Sequence, residues 1–69
     1  MIEIIFIVEE DPTGGYTARS VQHDIFTQGD TLDDLKAMVR DAVACAFDIE
    51  EDRPKVIRLH HVHDEVIAA

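Results

Sequence analysis

The groups in this 69-residue chain that could do chemistry are four histidines, one cysteine and fifteen carboxylates. His61 and His63 stand two apart in a stretch that reads as a strand, so their rings point to one side, as two ligands of a zinc or nickel ion must. His60 points the other way, and His23 or Asp64 is available as a third ligand. The competing reading makes these residues ordinary polar positions at the end of an edge strand. No Cys-x-x-Cys or His-Glu-x-x-His spacing accompanies them. Cys45 falls between Ala44 and Ala46 near the C-terminal end of a helical segment, where the helix dipole opposes a thiolate, so it reads as a packed, inert thiol. Glu3, Glu9, Glu10 and Asp24 are the acids best placed to imitate a metal-dependent nuclease. Glu3 and Glu9, however, lie at opposite ends of one strand, about 20 Å apart at ~3.3 Å per residue, and cannot share a metal pair. There is no P-loop, dinucleotide fingerprint or nucleophile elbow. The sequence therefore assigns no catalytic residue and no cofactor.

The elements that must position these groups follow from periodicity. Ile2-Glu3-Ile4-Ile5-Phe6-Ile7-Val8-Glu9 is rich in β-branched residues and reads as a strand. Ile2, Ile4, Phe6 and Val8 share a fully apolar face directed at the main core; Glu3, Ile5, Ile7 and Glu9 share a face that is apolar only in the middle. Asp11-Pro12-Thr13-Gly14-Gly15 is a turn. Tyr16 to Ser20 is a second strand, Val21 to Asp24 a polar connection, and Ile25 to Gln28 a short third strand. Thr31 opens a helix, with Asp33 and Asp34 in the first turn where the dipole favours negative charge. Leu32, Leu35, Val39, Ala42, Val43 and Ala46 recur at steps of three and four and form its apolar stripe, bordered by Phe47. The helix is expected to end near Asp48, before Glu50-Glu51-Asp52 and Pro54. Lys55 to His63 is a further strand, and the tail from Glu65 to Ala69 either extends the sheet or docks on a partner chain. The expected architecture is α+β: a three-stranded antiparallel β-meander, one α-helix packed on the sheet, and a fourth strand, in the order β-β-β-α-β. Residues 1–69 form one domain.

Charge and size narrow the function classes. Six cations against fifteen acids give a formal net charge of −9. Nucleic-acid binding rests on neutralising phosphates with Lys and Arg, so direct contact with nucleic acid is not expected. Arg53, Lys55 and Arg58 cluster in sequence but read as balancing Glu50, Glu51 and Asp52. The acidity favours a basic partner or solubility. A single cysteine, no signal-peptide pattern and no long apolar run point to the cytoplasm and away from a membrane. A chain of this length buries only about 60% of its unfolded surface, which makes self-association an expected source of stability.

Two segments carry a resemblance. One is the acidic, glycine-containing turn Glu9-Glu10-Asp11-Pro12-Thr13-Gly14-Gly15 followed by the aromatic Tyr16. The other is Phe26-Thr27-Gln28-Gly29-Asp30-Thr31-Leu32-Asp33-Asp34-Leu35, a short strand leading into a Gly-Asp-Thr helix start in which Gly29 can turn, Asp30 can bond nearby backbone N–H groups and Thr31 can cap. In this order, from Ile4 to Phe47, the chain resembles the HicB-like antitoxin family. It departs from the family at Ser20-Val21-Gln22-His23-Asp24-Ile25, where many members carry a Pro-x-x-Pro-Gly-Cys-like segment, and no DNA-binding extension is expected beyond Ala69. The resemblance implies a partial ribonuclease-H-like fold and a non-enzymatic protein-binding module, an antitoxin-type inhibitor of a small basic toxin ribonuclease that works as a homodimer or higher oligomer. Glu9, Glu10, Asp11 and Tyr16, or an exposed strand edge, are the expected partner-binding features. The rival readings are a small metal-dependent nuclease, dependent on Glu3, Asp24 or His61, and an orphan structural protein.

Overall fold

The computed structural model describes residues 2–69. Four strands and one helix follow in the expected order: β1 (Glu3–Glu10), β2 (Tyr16–Ser20), β3 (Phe26–Gly29), α1 (Leu32–Ala46) and β4 (Val56–Val62), with a single 3-10 turn at Glu50–Asp52. The strands form one mixed sheet in the order β3-β2-β1-β4. The first three are an antiparallel meander, with Val8 opposite Ala18 and Ala18 opposite Thr27. β4 returns on the far side of β1 and runs parallel to it, pairing Glu3 with Val56 through to Glu9 with Val62. The helix supplies the crossover that a parallel pair requires.

Alternation along β1 decides which face the helix covers. Ile4, Phe6 and Val8 are completely buried, and with Ala18 of β2 they meet Leu35, Val39 and Val43 of α1 in one core. Tyr16, Ile25, Leu32, Phe47, Ile57 and Leu59 close its margins. The helix stripe and the β1 face read from the sequence are therefore the packed ones, with one exception on each. Ala46, in the last turn of α1, is exposed. Ile2 was expected to share the core face of β1, but it precedes the first paired residue and is 76% exposed. Its carbonyl nevertheless accepts hydrogen bonds from the N–H groups of Lys55 and Val56, which fixes where β4 begins.

Both ends of α1 have chemical causes. Thr31 is extended and its Oγ1 accepts a hydrogen bond from the Asp34 N–H at 3.1 Å, satisfying one of the donors a helix start leaves free. At the other end Arg53 reaches back. Its Nε donates to the Phe47 carbonyl at 3.0 Å and its Nη2 to the Ala44 carbonyl at 3.5 Å. Arg53 was expected to balance the neighbouring acids; instead it serves the helix C-terminus, where exposed carbonyls favour a cation. The approach of β3 to α1 depends on Gly29: a Cβ there would lie 2.6 Å from the Leu35 backbone nitrogen. Gly15, at φ +80°, turns the hairpin beside it, and a Cβ on Gly15 would lie 2.7 Å from the Gly29 carbonyl oxygen. No helix among the described residues is long and apolar enough to cross a membrane.

Candidate functional site

The β1–β2 hairpin brings the four predicted partner-binding residues to one end of the sheet. Glu10 and Tyr16 face each other in register at the last rung, and Glu9 lies one residue back, opposite Thr17. Asp11 begins the turn and is held by it. Its Oδ1 accepts from the Thr13 hydroxyl at 2.6 Å and from the Thr13 N–H at 2.9 Å. Those bonds, the hydroxyl's first, keep the Asp11 carboxyl below the usual carboxylate range. Asp11 N–H also donates to the Gly15 carbonyl and Gly14 N–H to the Asp11 carbonyl, both at 2.9 Å, so the acidic loop is a shaped element.

On the helix side of this hairpin end lies an open cleft of about 590 Å³, bounded by Asp11 and Tyr16 from the hairpin, Gln28 and Gly29 from β3, and Asp30, Asp34 and Met38 around the start of α1. Three carboxylates ring it, with the Tyr16 ring and the Met38 thioether as apolar wall. A second depression of about 330 Å³ sits between the hairpin and the end of β4, where Glu9, Glu10 and Asp11 meet His63 and Asp64. Tyr16 also lines a small recess of about 140 Å³ shared with Glu10, Leu32, His61 and His63. The hairpin end is thus acidic on both flanks of one aromatic ring. This arrangement suits cationic side chains: long Lys or Arg stems can lie on Tyr16 and Met38 while their heads meet carboxylates.

His61 and His63 share a face, as their spacing predicts, because His61 pairs with Val8 on the core side of the sheet. His63 Nδ1 stands 3.5 Å from a Glu10 carboxylate oxygen, an ion pair when the imidazole is protonated. Among the described residues no group of three His, Cys, Asp or Glu side chains converges closely enough to hold a metal ion. His23 cannot join them. It follows Ser20 at the opposite end of β2, held by its N–H on Ser20 Oγ at 3.1 Å, with its ring edge-on to Phe47.

Two other expectations change. Cys45 was read as a packed thiol but is exposed; two residues beyond the buried Val43, it is rotated about 200° around the helix and faces away from the sheet. Arg58 was grouped with the 50–52 acids, yet its Nε and Nη2 grip Glu3 at 2.7 and 3.2 Å across the β1–β4 rung region. That bond lowers the Glu3 carboxyl and raises the Arg58 guanidinium relative to their ordinary values. Glu3, one of the acids a nuclease would need, is thereby committed to a cation. Asp30 and Asp34, which the sequence placed only as helix-start residues, turn out to face the hairpin. Their part in the cleft depends on Tyr16 pairing with Gly29, a register not readable from local pattern.

The class this fold defines is the small α+β domain with one helix covering one face of a four-stranded mixed sheet. Its relatives say which. The chain is 46% identical over 66 residues to a UPF0150 protein of Thermotoga maritima, covering 96% of this chain and 91% of that one. It is 55% identical over 53 residues to a UPF0150 protein of Archaeoglobus fulgidus, covering 77% of each. The chain belongs to the UPF0150 family. No protein-family model matches it, and neither does any solved structure.

Proposed function

We propose that this UPF0150 chain is a HicB-like, non-enzymatic protein-binding module of the cytoplasm, an antitoxin-type inhibitor that captures a small basic toxin ribonuclease and works as a homo-oligomer. The observation that carries the reading is the acidic hairpin end: Asp11 beside Tyr16 faces Asp30 and Asp34 across an open cleft, and Glu9 and Glu10 line a second depression next to it. Such a surface attracts a cationic protein over long range and offers its side chains an aromatic platform at short range. The Gly-Asp-Thr helix start that carries the resemblance to HicB-like antitoxins forms one wall of that same cleft. The nuclease alternative is less well supported, since Glu3 is paired with Arg58 and Glu3 and Glu9 sit at opposite ends of β1.

The test uses the source organism's own gene neighbourhood. A small basic reading frame beside this gene, expressed alone, is expected to arrest growth by cleaving RNA, and co-expression of this chain to relieve the arrest. Asp11→Lys, Asp30→Lys and Asp34→Lys together are expected to abolish relief, with circular dichroism of the purified variant checking that the domain still folds without the Asp11 turn bonds and a first-turn acid. Relief that persists in the triple variant, or a purified chain that itself cleaves RNA, would overturn the reading.

A further inference from the structure

One part of the surface reverses the molecule's charge. On the helix side of the sheet, a groove of about 510 Å³ runs between α1 and the first half of β4. Lys36 and Arg40 of α1 and Lys55 at the foot of β4 rim it, and Val39, Ile57 and Leu59 form its apolar floor. The three depressions described above are each lined by carboxylates; this one is lined by none. It gathers three of the chain's six cations. Elsewhere Arg58 is bound to Glu3 and Arg53 to helix carbonyls, whereas no ion pair among the described residues engages Lys36, Arg40 or Lys55. The groove follows from the seating of the helix. α1 packs most closely over β3 and β2, on the side of the sheet away from β4. Ile57 and Leu59 therefore stay half-buried, although they share the core face with Ile4 and Phe6.

The backbone of β4 gives the form of the occupant. β4 is an outer strand of the sheet. Its Val56 N–H bonds to the Ile2 carbonyl, so Val56, Arg58 and His60 turn their N–H and C=O groups toward β1. Alternation then leaves those of Ile57, Leu59 and His61 facing outward. An extended peptide laid along this edge continues the ladder, and its alternate side chains fall on the helix side beside Ile57 and Leu59. We infer that the groove between β4 and α1 takes an extended acidic peptide segment, added to the sheet as a further strand. An apolar side chain of the segment rests on the floor of Val39, Ile57 and Leu59, and flanking Asp or Glu residues meet Lys36, Arg40 and Lys55. Charge complementarity selects this occupant in a molecule whose other depressions repel it. RNA suits the groove less well: no aromatic ring lines it for a base to stack on, and the net charge of −9 opposes a phosphate backbone. The site lies toward the end of β4 away from the hairpin, takes a partner of the opposite charge, and does not rest on the acidic-cleft reading.

The probe is the end-blocked peptide Thr-Glu-Thr-Val-Thr-Glu-Thr, whose groove-facing positions read Glu-Val-Glu, titrated into the full isotope-labelled chain up to about 1 mM. Saturating shifts of the Ile57 and Leu59 methyl resonances are expected. Amide hydrogen exchange at Ile57 and Leu59 is expected to slow at least about threefold, while Val56 and Arg58, already bonded to β1, change little. These readouts need no variant to fold. Lys36→Gln combined with Arg40→Gln is expected to weaken binding about fivefold, and raising NaCl from about 50 to about 500 mM is expected to weaken it as well. The peptide Thr-Lys-Thr-Val-Thr-Lys-Thr is expected not to bind. Absence of saturating shifts, unchanged exchange at Ile57 and Leu59, or equal binding of the lysine peptide would each overturn the inference. So would shifts of Ile57 and Leu59 on dilution of the chain alone, which would put a second copy in the groove, and displacement of the acidic peptide by single-stranded RNA, which would make it a phosphate site.

Discussion

Replacing Gly29 by alanine tests how the fold builds the cleft. Gly29 ends β3 and touches the start of α1. An added Cβ would lie 2.6 Å from the Leu35 nitrogen, 2.8 Å from its Cα and 3.0 Å from the Asp34 carbonyl carbon. All three are backbone atoms, so no side-chain rotation relieves the clash and the first turn of the helix must move. Relief of the glycine's conformational freedom would by itself favour alanine by ~0.5–1 kcal/mol. Overpacking against immovable neighbours costs ~1–3 kcal/mol, so the clash prevails, by roughly 1–2 kcal/mol. A domain of this length holds only ~3–10 kcal/mol in all. At ~4–8 °C per kcal/mol the thermal midpoint is expected to fall by about 10 °C. Thermal unfolding followed by circular dichroism provides the measurement, with Gly14→Ala as comparison. That site has open space around it and only its φ of +106° to resist a side chain. A Gly29→Ala protein as stable as the parent, or more so, would refute the close approach of β3 to α1 and with it the geometry of the cleft.

Three further outcomes follow from named contacts. Arg53→Ala removes the donors on the Phe47 and Ala44 carbonyls and is expected to lower stability by ~1 kcal/mol, read as a lower urea midpoint with an unchanged slope. Leu35→Ala, at a position with no solvent exposure, is expected to cost ~2–5 kcal/mol, enough to leave a marginal domain largely unfolded at room temperature by near-ultraviolet circular dichroism. The Glu3 carboxyl, lowered by its bond to Arg58, is expected to titrate below an ordinary glutamate in a carboxyl-detected NMR series and to return to the ordinary range in Arg58→Ala. Its sign in stability is fixed by linkage. Because the folded value is depressed, the contribution is present above the unfolded value and fades as pH falls through the folded one. For so exposed a pair it is small.

Local pattern was enough for the elements and the core side of the helix. Alternation placed Ile4, Phe6 and Val8 together, and spacing placed Leu35, Val39 and Val43 opposite them, because burial and periodicity are the same fact seen at two scales. Thr31 was recognisable as a cap because a threonine directly before the periodic run, with acids in the first turn, is a local helix-start signal. What local pattern lacked was pairing. That β4 lies parallel to β1 on the side away from β2 is a non-local outcome, and it moved Arg58 from the 50–52 acids to Glu3. The long reach of Arg53 back to the helix end likewise depends on where the 3-10 turn at Glu50–Asp52 carries it. The hairpin half of the site, Glu9 to Tyr16, was legible because turn chemistry is local. The Asp30 and Asp34 half was not, because it depends on β2–β3 register and on the close packing at Gly29. The misplacement of Cys45 has a simpler cause: it was read from its alanine neighbours, whereas its angle of about 200° from Val43 already set it off the buried stripe.

On the function proposed above, this molecule works through its acidic hairpin end. Calorimetric titration of the purified chain with any small basic protein encoded beside its gene, at low and high salt, tests this most directly. Tight binding at low salt is expected, falling steeply as salt rises and lost when Asp11, Asp30 and Asp34 become lysine. Binding that ignores both salt and those substitutions would place the contact on some other surface and contradict the account.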